Sequence, residues 1–143
     1  MSVNIEVKKT GTEARIGYMH FFLLRCEVAK IHDEQLGLNG EFADFYAKQR
    51  DGIVEGKEWW DKYNEELHYM EHNLPLNPKV LDFLYASDCD AEMTYGCCHV
   101  LYDLLKDTED DTDYGFENSP LTIPIFAQMC KEAWGNKSRL VWY

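Results

Sequence analysis

Apolar and polar side chains alternate from Val3 to Val7, the period of a half-buried strand, and Lys8 and Lys9 follow. Gly11 breaks that pattern. From Ala14 to His32 the chain is apolar almost throughout, with Ile16, Phe21, Leu24, Val28 and Ile31 among many. Wound at 3.6 residues per turn, these positions cover most of the circumference. The stretch is therefore read as one long central helix. Arg25 and Glu27 interrupt it and are expected to be paired or to lie at its rim.

Gly37 to Gly40 reads as a turn, and Glu41 to Gln49 as a short amphipathic helix with Phe42, Phe45 and Tyr46 on one side. Gly52 and Gly56 frame a loop. Lys57 to His72 forms a further helix, because Trp59, Trp60, Tyr63, Leu67 and Met70 fall on one stripe. Leu74-Pro75-Leu76 ends it, and Asn77 followed by Pro78 is a helix start that runs to about Tyr85. Ser87 to Glu92 is an acidic turn. Thr94 is placed to cap a helix from Tyr95 to Leu105, and Thr122 to cap the last one, with Pro124 in its first turn. Gly135 suits the residue after that helix, and Arg139 to Tyr143 reads as a strand. Neither terminal strand is stable alone. The simplest solution pairs them, directly or through a third strand. The expected fold is α+β: one mostly helical domain over residues 1–143, with a small sheet formed by the N- and C-terminal strands.

Charge changes the picture of partners. The formal net charge is -12, which repels nucleic-acid phosphate and suits a basic protein or a cation. No apolar run approaches the ~20 residues of a membrane span. No basic-then-apolar leader precedes Val7. The cysteines are Cys26, Cys89, Cys97, Cys98 and Cys130. This odd set, without a C-x-x-C pair, fits a reducing compartment, and a cytoplasmic location is expected.

The run Ser87-Asp88-Cys89-Asp90-Ala91-Glu92, then Met93-Thr94 and Cys98, resembles a group of uncharacterised bacterial and phage proteins with the motif H-S-D-C-D-G-E. Gly17 to Lys30, with Phe22, Arg25 and Cys26, and Phe126 to Trp142 fit that group more loosely. This chain has Ala91 where the motif has Gly, Ala86 where it has His, and Tyr95 and Gly96 where acids usually open the next helix. The resemblance implies a bacterial or phage setting and no particular activity.

Three constellations carry possible chemistry. Asp88, Asp90 and Glu92 match positions one, three and five of an EF-hand loop, but Met93 stands at the glycine position and His99 at the terminal glutamate position. The competing reading is architectural. Asp88 and Asp90 would accept backbone N–H bonds within Asp88 to Thr94 and fix the angle between the flanking helices. General acid–base work by the trio would need a desolvated carboxyl in a pocket. His68-Tyr69-Met70-Glu71-His72 has the H-x-x-E-H spacing that lets two helical histidines share a metal, yet the apolar stripe puts His68 and His72 on the wetter side. Cys97, Cys98 and His99 are adjacent, but neighbours on a helix point apart, so one buried and one rim cysteine is expected. Asp107 to Asp113 holds five acids in seven residues and reads as a solvated loop.

With no complete catalytic set and no cofactor motif, the expected function is a non-enzymatic protein–protein interaction module. Trp59, Trp60 and Tyr63 are candidates for an exposed aromatic patch, with core packing the expected fate of at least two of them. The alternative is a metal-dependent enzyme or cation-binding module using His68 and His72, or Asp88, Asp90 and Glu92.

Overall fold

A computed structural model describes residues 2–143. The fold is α+β and mostly helical, with the terminal strands in one small antiparallel sheet. β1 (Ser2–Val7) pairs with β2 (Glu13–Gly17), and β4 (Leu140–Trp142) pairs directly with β1, Ile5 facing Trp142. β3 (Ala91–Met93) pairs with the far side of β4, giving the order β2-β1-β4-β3.

Two strands depart from the sequence reading. Ala14 to Gly17 belongs to β2 and not to the central helix. Ala14 and Ile16 are buried while Glu13 and Arg15 are exposed, a period of two that makes a hairpin with β1 across the Gly11 turn, where Gly11 has φ 78°. The helix α1 (Tyr18–Leu36) starts only after Gly17, whose backbone is extended. The acidic stretch is likewise divided. Ser87 to Asp90 remains a turn, and Ala91 to Met93 joins the sheet because β4 offers it an open edge.

Several local signals act as read. Gly37 ends α1 in the left-handed conformation at φ 70°. α2 (Glu41–Ala47) is followed by the four-residue α3 (Gln49–Gly52), and α4 runs Lys57–Asn73. Asn77 Oδ1 accepts from Lys79 N at the start of α5 (Pro78–Leu84). Thr94 caps α6 (Tyr95–Leu105) through Cys97 N, and Thr122 caps α7 (Ile123–Gly135) through Ile125 N. Gly135 is the exception: it stays helical, and Lys137 takes the positive φ of 50°.

The core lies where α1, α5, α6 and α7 cover the inner sheet face. Val3, Ile5 and Val7 alternate inward from β1, and Leu140 and Trp142 from β4. Phe21, Phe83 and Trp142 meet edge-on with centroids 5.8–6.2 Å apart, and Phe126 lies 5.3 Å from Phe83. Each fully buried large apolar side chain contributes about 1.5–3 kcal/mol.

Candidate functional site

Arg25 sits inside this aromatic cluster. The sequence placed it at a rim or in an ion pair; instead it is 5% exposed, on the core face of α1. Its Cζ lies 4.3 Å from the Phe21 centroid, 5.3 Å from Phe83 and 5.6 Å from Trp142, so three ring faces surround the cation. Nη1 donates to the Ala86 carbonyl at 3.0 Å and Nη2 to the Ser87 carbonyl at 3.3 Å. Trp142 Nε1 donates to the same Ser87 carbonyl at 2.7 Å. Burial lowers the Arg25 pKa, while Tyr46 and Asp88 offset part of that shift. The guanidinium keeps its charge all the same.

These contacts correct the architectural reading of the acidic turn. Among the described residues no hydrogen bond reaches the Asp88 or Asp90 carboxylate, and both residues are exposed. The bond inside the turn is a longer one, from Cys89 N to Ser87 Oγ at 3.4 Å. Glu92 turns the other way and pairs with Arg139 at 2.8 Å on the outer sheet face. The turn is held by its carbonyls, through Arg25 and Trp142, because those two donors are buried and their N–H groups need acceptors.

His68 and His72 are exposed on α4 with ring centroids 4.3 Å apart. His72 Nδ1 is engaged with the His68 carbonyl at 2.9 Å. Among the described residues no group of three or more His, Cys, Asp or Glu side chains is placed to hold a metal ion. Cys97 and Cys98 are both buried, which corrects the expected division into core and rim. Cys98 faces Cys130 across the α6–α7 contact, and burial pushes the Cys130 thiol well up. His99 points elsewhere and stacks on Trp134 at 3.9 Å. Burial also pushes the Cys26 thiol up to about 11.

The Trp59, Trp60 and Tyr63 stripe is a staple rather than an exposed patch. Tyr63 is buried against Phe45 at 4.3 Å, the two tryptophans are half-buried, and Trp60 Nε1 donates to the Gly52 carbonyl at 3.1 Å. A Cβ on Gly52 would sit 2.5 Å from both indoles, so only glycine lets α3 approach so closely.

Beside Arg25 a cleft of about 330 Å³ opens between α1, α2, α3, α4 and α5. Tyr18, Phe22, Tyr46, Trp60 and Tyr85 are among its aromatic walls, and Met19, Arg50, Ile53 and Asp88 also line it. Tyr46 Oη donates to the Leu84 carbonyl at 3.0 Å, and the Tyr63 and Tyr85 hydroxyls share a bond of 2.9 Å. Burial raises all three phenols above their ordinary range, which favours their neutral form. The loop after α3 leaves Ile53 75% and Val54 86% exposed, and Met19 on α1 47% exposed. The sequence signal for this rim is an unpatterned Ile-Val pair in the loop between Gly52 and Gly56.

Compared with known proteins, the chain matches no family model, no curated protein and no solved structure. The geometry alone defines what the site can do. It offers an apolar cleft with a buried cation beside it and neutral hydroxyls around it, suited to binding.

Proposed function

We propose that the protein is a non-enzymatic interaction module that docks another protein over the Arg25 cleft. The observation that carries this reading is the apolar rim. Ile53 and Met19 line the cleft and stand open to solvent, and Val54 adjoins them. Exposed aliphatic side chains around an aromatic-walled hollow are what a partner's apolar anchor covers. The net charge of -12 favours a basic partner by steering its approach. The five free thiols fit a reducing cytoplasm, and the resemblance of the acidic turn supports a phage or prophage setting.

The test is affinity capture from the native host with the wild type and with Ile53→Asp/Val54→Asp. A partner bound by the wild type and lost by the double variant is expected, with circular dichroism unchanged. Recovery of the same proteins by both, or of chaperones and ribosomal proteins alone, would overturn the reading.

A further inference from the structure

We propose that the Arg25 side of this cleft is an anion site, and that its ligand is a single carboxylate carried on an apolar body. A buried cation is normally paired with a carboxylate. Four ion pairs occur among the described residues, and Arg25 takes part in none of them. Its guanidinium carries five N–H donors. Two nitrogens are spent on the Ala86 and Ser87 carbonyls, and Nε has no partner at all. The carbonyls and rings supply partial negative charge, and the one carboxylate acting on Arg25 is the exposed Asp88, which forms no ion pair with it. Arg50 lines the same cleft, so two cations face the one carboxylate of Asp88.

The walls select the rest of the ligand. A volume of about 330 Å³ lies at the small end of ligand pockets, which hold ~300–1,000 Å³. Tyr18, Phe22, Tyr46, Trp60 and Tyr85 wall it with aromatic rings, which suits a ring or a branched aliphatic group. A phosphate dianion would lose more hydration in such walls than a carboxylate, against a chain already at -12. Asp88 is exposed at the mouth and competes for the same cations.

Such a carboxylate is borne either by a free small acid or by the C-terminal apolar residue of a polypeptide. The proposal uses the cleft of the docking reading, and an amide control separates the two. The probes are 3-phenylpropanoate, its amide, and a pentapeptide ending in Phe with a free or an amidated C-terminus, titrated calorimetrically into the intact protein. The acids are expected to bind about tenfold or more tightly than their amides, the margin of a charge-assisted hydrogen bond. Asp88→Asn should tighten the acids about threefold, and Arg50→Gln should weaken them about threefold, as partly exposed charge pairs do. Both variants keep Arg25 and the core, so folding does not confound the result. A peptide acid that binds better than 3-phenylpropanoate assigns the site to a C-terminus, and the reverse assigns it to a free acid. Acid and amide binding alike would overturn the anion site while leaving the docking reading in place. Absence of acid binding at millimolar concentration, or an acid preference unmoved by both variants, would also overturn it.

Discussion

The turn between α1 and α2 and the turn between α5 and β3 are each clamped by one buried α1 side chain, Asp33 near the end of the helix and Arg25 near its middle. At the first, the buried Asp33 carboxylate accepts from Gly40 N at 2.6 Å, Phe42 N at 2.8 Å and Ala43 N at 3.1 Å. At the second, Arg25 donates to the Ala86 and Ser87 carbonyls. The clamps have opposite polarity because the turns present opposite groups. A helix start exposes unpaired N–H groups and takes an acid, whereas the turn beyond α5 presents the Ala86 and Ser87 carbonyls and takes a cation. The difference shows why the acids inside the second turn are idle. Asp88 and Asp90 are acceptors at a place that needs donors.

The largest expected effect follows from removing the base. Arg25→Ala strips the Ala86 and Ser87 carbonyls of their charged donor, and should cost about 3 kcal/mol, the scale of two hydrogen bonds to a charged group. Arg25→Lys should recover only part, since a point charge does not span two carbonyls. Urea denaturation of the three proteins measures this. A loss under about 1 kcal/mol for Arg25→Ala would mean that the turn is held by Trp142 alone, as an ordinary neutral hydrogen bond is worth that much.

Asp33→Ala comes next. It leaves three N–H groups at the head of α2 without their acceptor and should cost about 2 kcal/mol, the upper range for a lost helix cap. Asp33→Asn keeps one acceptor oxygen and should be milder. If Asp33→Ala proved the costlier of the two alanine variants, the burial cost of the Arg25 cation would offset much of what its two hydrogen bonds contribute.

These clamps also mark the limit of what the sequence makes legible. Asn77, Thr94 and Thr122 were readable as caps because each bonds within three residues of itself. β1 and β4 were readable because alternation is local. Arg25 and its acceptor Ala86 are separated by 61 positions, and nothing in either neighbourhood announces the other. The apolar density from Ala14 onward concealed β2 for a related reason. Its alternation lasts too few residues to stand out from the helix that follows. β3 is a strand only because β4 lies beside it. The acidic turn stands out by composition, yet the cleft beside it is built from α1, α2, α3, α4 and α5, brought together only by the fold.

His32, on α1 beside Asp33, sharpens the comparison through pH. It is buried, its Nε2 accepts from Asn77 N at 3.1 Å, and its Nδ1 has no partner. Burial lowers its pKa below 6.5, while Gln35 and Asp33 pull it partway back. A depressed histidine pKa means that the unfolded chain binds the proton more readily. The contribution is therefore present above pH 6.5 and is lost as pH falls through that value toward the folded pKa. Protonation also forfeits the Asn77 bond, about 1 kcal/mol. Thermal melts between pH 7.5 and 5 should fall more steeply for wild type than for His32→Gln, which still accepts from Asn77 at either pH. Equal slopes would place the acid sensitivity elsewhere.

The smallest effect is the one that the acidic composition makes look largest. Asp88 is exposed and no hydrogen bond of the described residues reaches its carboxylate, so Asp88→Ala and Asp88→Asn should each change stability by less than about 0.5 kcal/mol, the range for open surface positions. The two substitutions should also match each other. An architectural carboxylate would instead make Asn the milder change, since Asn keeps an acceptor oxygen. Calcium provides the second axis. A cation bound only by the folded state raises the melting temperature by mass action. Melts of wild type and both variants, in calcium and in chelator, should superimpose within each protein. A rise of several degrees in wild type that both substitutions abolish would return Asp88, Asp90 and Glu92 to a cation site. It would also mean that this turn is tied from outside by its carboxylates as well as from inside by Arg25.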